Sequence, residues 1–148
     1  TLNIDNINPP FPLENYFSYL VASAHRKLHS EMTDQLNAFG VPVEKWRILE
    51  SLDQNKSLSM SDLARSALMN PSALTKMVDR MVSEGLVQRQ ISRYDQRSIT
   101  LVVTALGADL FKKIRQPAIH QNSALVEKLG AEKASLVRQA LETLNELL

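Results

Sequence analysis

The stretch LSMSDLARSALMNPSALTKMVDRMVSEGLVQRQ, residues 58–90, decides the fold of this chain. In its middle, Asn70 is a residue type that caps helices, and Pro71 suits a first helical position, where no amide hydrogen is needed. The helix that starts there is predicted to end at Gly85, because glycine readily adopts the left-handed conformation found at helix ends. A shorter helix, capped by Ser61, is predicted before it. The stretch therefore predicts a helix, a tight turn and a second helix.

The spacing of apolar residues changes after the second helix from the helical period to the alternation typical of strands. Residues 86–92 and 99–103 both alternate, and the polar sequence SRYDQRS at residues 92–98 lies between them. This pattern predicts a hairpin of two strands with an exposed tip. Thr104 is then expected to cap a further helix, in which Gly107 permits close packing.

Long amphipathic helices are predicted on both sides of this unit, over residues 13–39 and 131–148. They carry more apolar surface than a small core needs, and such surfaces usually mark interfaces. The expected fold class is mainly α with a small β-hairpin wing, a winged helix-turn-helix dimerised by its N- and C-terminal helices. We expect an N-terminal arm and dimerisation helix over 1–42, the DNA-binding domain over 43–104 and C-terminal dimerisation helices over 105–148.

The composition restricts the class of protein. A length of 148 residues suits one domain or one domain with an extension. With 44% hydrophobic and 22% charged residues, the chain is not wholly disordered. No apolar run is long enough for a membrane span and no signal peptide is expected, so we predict a cytoplasmic protein. The absence of cysteine excludes a disulfide framework and a cysteine nucleophile.

The net charge of +1 conceals an uneven distribution. Residues 61–104 hold six basic and four acidic side chains, whereas residues 1–42 hold two basic and four acidic ones. Contact with phosphates depends more on a local basic patch than on the total charge. The charge pattern is therefore compatible with a nucleic-acid partner for the central segment.

The helix after Asn70 is predicted to be a DNA-recognition helix, because the second helix of such a pair enters the major groove with its N-terminal residues near the bases. Its inward side is expected to carry Leu74, Met81, Val82 and either Met77 or Val78. Small hydroxyl side chains allow close approach to base edges, and basic ones bind guanine or phosphate. The residues predicted to contact the major groove are Ser72, Thr75, Lys76 and Arg80.

The predicted hairpin tip carries two arginines on either side of an acid. Arg93 and Arg97 flank Asp95 within five residues. An arginine on a thin hairpin suits the minor groove, where negative potential is concentrated. Asp95 could hold Arg97 in an outward conformation, although a plain hairpin with a local ion pair is the alternative interpretation.

Three stretches resemble the MarR family of transcriptional regulators: WRILESL at 46–52, the stretch at 58–90 and DQRSITLVVTALG at 95–107. The last is similar to the family's D-x-R wing followed by a strand and L-T-x-x-G, with Val103 in place of the leucine. The flanking helices fit the family plan, so the resemblance covers nearly the whole chain. It implies an obligate dimer on pseudo-palindromic double-stranded DNA, with Arg97 as the minor-groove residue of the wing.

The resemblance also implies a small-molecule effector, since the family commonly responds to small aromatic or phenolic acids. An arginine would pair with the carboxylate and aromatic side chains would cover the ring. Aromatic residues at these spacings also suit a protein core, which is the alternative interpretation. The candidate ligand-binding residues are Tyr16, Tyr19, Ser23, Arg26, Trp46 and Arg47.

These features predict a sequence-specific DNA-binding regulator, a repressor that a small ligand releases. One alternative is a metal-responsive regulator of the same fold, because His25 and His29 lie one helical turn apart. Another is a non-specific architectural DNA-binding protein. No enzyme and no cofactor are expected, since the sequence has no glycine-rich phosphate loop, no HExxH and no GxSxG.

Overall fold

The computed structural model describes residues 12–91 and 98–148, which are mainly helical with one small antiparallel sheet. The predicted fold class, a mainly α protein with a β wing, is confirmed. Two short 3-10 turns, Leu13–Asn15 and Asn37–Phe39, flank the first helix. In chain order the elements are α1 (Phe17–Leu36), α2 (Val43–Asn55), β1 (Leu58–Ser59), α3 (Met60–Ala67), α4 (Pro71–Ser83), β2 (Val87–Ile91), β3 (Ile99–Val103), α5 (Ala105–Leu129) and α6 (Ala131–Leu147).

The start of α4 is as predicted. The side chain of Asn70 accepts a hydrogen bond of 2.7 Å from the backbone N–H of Ala73, and Pro71 is the first helical residue. The helix ends at Ser83, and Gly85 follows in the left-handed conformation with φ +76°. Local capping residues therefore determine where along the sequence this helix begins and ends.

The start of α3 differs from the prediction. Ser59, not Ser61, is the cap, and its hydroxyl accepts a hydrogen bond of 3.1 Å from the N–H of Asp62. The helix consequently begins at Met60. It ends at Ala67, and the next residue, Leu68, has a left-handed backbone with φ +58° although it is not glycine. This left-handed residue ends α3 three residues before α4 begins at Pro71.

The sheet has three strands in the order β1-β3-β2, one more than the predicted hairpin. β2 pairs antiparallel with β3 from Val87 opposite Val103 to Ile91 opposite Ile99. β1 pairs with the other edge of β3, with Leu58 opposite Leu101. A strand of two residues is too short to show alternation, so the sequence pattern does not reveal it.

The core lies between α2, α3, α4 and the sheet. Its fully buried side chains include Ile48, Leu49 and Leu52 of α2, and they meet residues from each neighbouring element. The terminal helices contribute through α1 near its end and through α5 near its start. The buried residues of these other elements are Met32, Leu36, Leu63, Ala64, Ala67, Leu74, Val78, Met81, Val87, Leu101, Phe111 and Ile114.

The rest of the terminal helices is not buried within the described part of one chain. α6 has no buried residue, and α5 has none after Ile114. Large apolar side chains are exposed on all three terminal helices, namely Phe17, Leu20, Val21, Ile119, Leu125, Leu136, Val137, Leu141 and Leu147. Among the described helices, none combines the length and the apolar character that crossing a lipid bilayer requires.

Candidate DNA-binding surface

α4 has one buried face and one exposed polar face. Leu74, Val78 and Met81 are buried, while Met77 is half-buried, which decides the alternative left open by the sequence in favour of Val78. This face holds α4 against α3 and the sheet. Because the apolar residues recur every three or four positions, the remaining positions point away from the core.

The four residues predicted to contact the major groove are exposed together on this polar face. Ser72 lies in the first turn, Thr75 and Lys76 in the second, and Arg80 in the third. The Thr75 hydroxyl donates a hydrogen bond of 2.9 Å to the carbonyl of Pro71. The hydroxyl oxygen of Thr75 therefore still has lone pairs that can accept a hydrogen bond from another group.

Two ion pairs that the sequence did not predict fix the position of α4. Lys45, which is only 8% exposed, donates from Nζ to Glu84 Oε2 at 2.7 Å and so joins α2 to the end of α4. Arg89 of β2 donates to the carboxylate of Asp79 on α4. The first pair links residues 39 positions apart, a separation that local sequence patterns do not reveal.

The wing is joined to α5 by a compact polar junction. The Thr104 hydroxyl donates to the carbonyl of Gly85 at 2.6 Å and accepts from the N–H of Gly107 at 3.0 Å. A Cβ atom on Gly107 would lie 2.1 Å from the carbonyl oxygen of Leu86. The predicted roles of Thr104 as a cap and of Gly107 in close packing are thus confirmed.

The wing residues Arg93, Asp95 and Arg97 lie outside the described residues. Their contacts with DNA stay predictions.

The ligand candidates are only partly brought together. Tyr19, Ser23 and Arg26 line one hollow of about 820 Å³ along α1, together with Lys27 and other residues of that helix. Trp46 and Arg47 are half-buried on α2 and are not among the described residues that line this hollow. Tyr16 is exposed just before α1. A single site that includes all six residues stays a prediction.

Three buried side-chain atoms of the described residues lack a hydrogen-bond partner: His29 Nδ1, Trp46 Nε1 and Glu50 Oε2. Trp46 and Glu50 lie one turn apart on α2. Burial raises the pKa of Glu50 above 4.5, although nearby Arg115 acts in the opposite direction. Buried groups of this kind normally have partners, so these atoms are candidates for contacts with a ligand. Glu50 is not among the ligand candidates predicted from the sequence. Its position four residues after Trp46, on the same side of α2, is the sequence signal that could have added it.

The two histidines of the metal alternative lie side by side. The ring centroids of His25 and His29 are 5.3 Å apart, with the planes inclined by 40°. In the part of the chain that the structure describes, no third His, Cys, Asp or Glu joins them to form a metal-binding group. His120 lines a different groove, together with Gln35 and Phe39.

Comparisons with known proteins agree with this architecture. The model of the MarR family matches residues 42–99. The regulator FarR of Neisseria gonorrhoeae, an HTH-type transcriptional regulator, is 31% identical over 84% of this chain and 85% of its own length. NadR, solved in complex with 4-hydroxyphenylacetate, is 29% identical, with a TM-score of 0.80 over 93% of this chain and 97% of its own.

A third comparison concerns the fold alone, because the identity is 21%. A cysteine-to-serine mutant of MarR from E. coli, solved in complex with operator DNA, superposes with a TM-score of 0.77 over 86% of this chain and 91% of its own.

The helix pair, the sheet beside it and the exposed polar face of α4 define a winged helix-turn-helix regulator of transcription. The similarity to FarR and the family model identify the group within this class. The chain belongs to the MarR family.

Proposed function

We propose that the protein is a sequence-specific transcriptional repressor that binds a pseudo-palindromic operator as a homodimer in the cytoplasm. The observation that carries this proposal is the exposed stripe of Ser72, Thr75, Lys76 and Arg80 on a helix whose opposite face is buried. A helix with this arrangement fits the major groove, where its early residues reach base edges.

Each residue of the stripe has a separate proposed role. Because the hydrogen of Thr75 is donated to Pro71, its oxygen would accept from an amino group of adenine or cytosine. Lys76 would donate to guanine or phosphate. Arg80, one turn later, would hold a phosphate. The wing arginines, with Arg97 foremost, would add contacts in the minor groove.

The dimer is supported by the exposed apolar side chains of the terminal helices. Phe17 is 75% exposed and Leu136 is 59% exposed, and similar residues continue along α5. A second copy of the chain would cover this surface, since most soluble oligomers are symmetric dimers. We therefore assign dimerisation to residues 1–42 and 105–148, and DNA binding to residues 43–104.

The DNA-binding proposal is tested with duplex DNA enriched by in vitro selection on the wild-type protein. Lys76→Ala should weaken binding to that DNA by about 5- to 150-fold, since a charged contact to a base or phosphate contributes about 1–3 kcal/mol. The matched control is Lys112→Ala, an exposed lysine of α5 outside the stripe. Equal affinities for the two variants would contradict the assignment of the stripe.

A small aromatic acid is the proposed effector, with Arg26 as the partner of its carboxylate and Tyr19 beside its ring. Support comes from the hollow that these residues line and from the ligand found in NadR, 4-hydroxyphenylacetate. Ligands that bind only the folded state raise the melting temperature. We expect 4-hydroxyphenylacetate to raise it for the wild type but not for Arg26→Ala. Retention of the shift in Arg26→Ala would contradict the role of this residue.

A metal-responsive regulator is the second candidate, favoured by the adjacent rings of His25 and His29. It predicts that Zn²⁺ raises the melting temperature, that a chelator reverses the effect and that His25→Ala abolishes it. A shift with Zn²⁺ and none with aromatic acids would replace the first effector proposal with this one.

A further inference from the structure

We propose that Arg89 is a positioning residue for DNA binding, which acts by neutralising Asp79 on the exposed face of α4 and by holding β2 against that helix. The inference rests on the DNA-contact stripe proposed above. It adds an interaction between the wing and the recognition helix that acts before either element touches DNA.

Asp79 lies on the same face as the proposed contact stripe, directly before Arg80. It follows Ser72 by seven residues and Thr75 by four, which places all three on one side of the helix. It is the only acidic residue between Pro71 and Ser83. Its side chain is 60% exposed. A carboxylate at this place would face the phosphates of a bound duplex and repel them.

Arg89 supplies the opposite charge from a separate element. It lies in β2, opposite Leu101 of β3, and its Nη2 donates to Oδ1 of Asp79. Its side chain is 36% exposed, less than that of its partner. Pairing of β2 with β3 fixes the backbone of Arg89, and the guanidinium then reaches across to α4.

The pair has two consequences for binding. It cancels the negative charge beside Arg80, so that Lys76 and Arg80 determine the charge that the DNA meets. It also connects α4 directly to the first strand of the wing, in addition to the covalent connection through Gly85. Both effects require Arg89 to act through Asp79 and not through a phosphate.

A suppressor experiment tests this claim. Affinity for the selected DNA is measured by fluorescence anisotropy for the wild type, Arg89→Gln, Asp79→Asn and the double variant, after the melting temperatures show that each is folded. We expect Arg89→Gln to bind about tenfold more weakly, because an unpaired carboxylate then faces the DNA. Asp79→Asn and the double variant lack the carboxylate but also lose the link between β2 and α4, so both should bind about threefold more weakly than the wild type and more tightly than Arg89→Gln. Arg89→Lys should retain most of the affinity.

Other results would overturn the proposal. If Arg89 contacts a phosphate directly, Arg89→Gln weakens binding equally with or without Asp79, and the slope of log K against log salt falls by about 1. If Asp79 accepts from a cytosine, Asp79→Asn changes the selected sequence. If Lys76→Ala weakens binding but Arg89→Gln does not, this inference fails while the proposed stripe stands. If neither variant has an effect, both fail.

Discussion

Two regions of the molecule differ in how completely they bury their own apolar residues. In the winged-helix region, Ile48, Leu49, Leu63 and Leu101 are fully inaccessible within a single chain. In the terminal helices, the buried residues are confined to the places where α1 and α5 meet that region, and α6 has none. The same chain therefore contains a closed core and an open apolar surface.

The difference shows that the two regions are stabilised in different ways. A closed core contributes its hydrophobic free energy within the folded chain. An exposed apolar surface contributes only when something covers it, so its stabilisation depends on the concentration of the partner. The junction between the regions, at Thr104 and Gly107, then determines how the wing and the terminal helices are oriented with respect to each other.

The two largest effects are expected at the junction and in the closed core. Gly107→Ala should destabilise the fold by about 3 kcal/mol, because the added Cβ would lie 2.1 Å from the Leu86 carbonyl oxygen. Alanine is otherwise preferred to glycine within helices by about 1 kcal/mol, so the loss is steric. Urea unfolding measures it. The control is Gly40→Ala, where nothing lies within 4 Å of the added Cβ and the backbone φ is +65°. Gly40→Ala should reduce the free energy of unfolding by about 1 kcal/mol. Equal losses in Gly40→Ala and Gly107→Ala would contradict the steric explanation.

The closed core is tested by Leu52→Ala. Leu52 is 1% exposed in α2, and its truncation should cost about 3 kcal/mol, because it removes buried methyl groups and leaves a cavity. Unfolding by urea at one fixed protein concentration gives the value. A loss below about 1 kcal/mol would mean that the core rearranges around the site and is less closed than its burial indicates.

The open surface is tested by Leu136→Asp, at a residue of α6 that is 59% exposed. If a second copy covers this residue, the charge should weaken dimerisation by about 2 kcal/mol, or ~30-fold, as measured by sedimentation velocity over a range of concentrations. Leu68→Asp is the control, because Leu68 is 75% exposed but lies in the proposed DNA-binding region, residues 43–104. The same degree of dissociation in both variants would contradict a dimer surface on the terminal helices.

The smallest effect concerns Glu50, which lies where α2 faces α5. Burial raises the pKa of its carboxyl above 4.5, so the folded state binds this proton more tightly than the unfolded state does. The contribution to stability is complete below the pKa of the unfolded state and is lost as the pH rises through the higher pKa of the folded state. The Glu50→Gln variant has no carboxyl group at this site and cannot lose stability in this way. Its free energy of unfolding minus that of the wild type should therefore increase from pH 4 to pH 7. A difference that does not change with pH would contradict the effect of burial.

Sequence patterns predicted the elements that depend on neighbouring residues. Asn70 and Pro71 define the start of α4, and Thr104 defines the start of α5, because a cap and its helix are adjacent in the chain. The same reasoning chose Ser61 in place of Ser59, since two serines of equal capping ability precede the apolar pattern.

Contacts between distant residues could not be predicted in this way. Three contacts in this molecule join separate elements. They are the pairing of β1 with β3, the ion pair of Lys45 with Glu84 and the ion pair of Asp79 with Arg89. Their formation depends on how helices and strands pack, which one sequence does not reveal. The exposed stripe was predicted correctly as a surface because it is the complement of a periodic buried face, while its contacts with DNA stay a prediction.

The central claim, that a dimer with two α4 helices reads a specific operator, is tested most directly by in vitro selection of binding sites from random duplex DNA with the purified full chain. The account predicts an enriched sequence with two inverted half-sites whose centres are about 10 bp apart, one helical turn of DNA. Recovery of bound DNA without an enriched sequence, or with one unrepeated half-site, would contradict it.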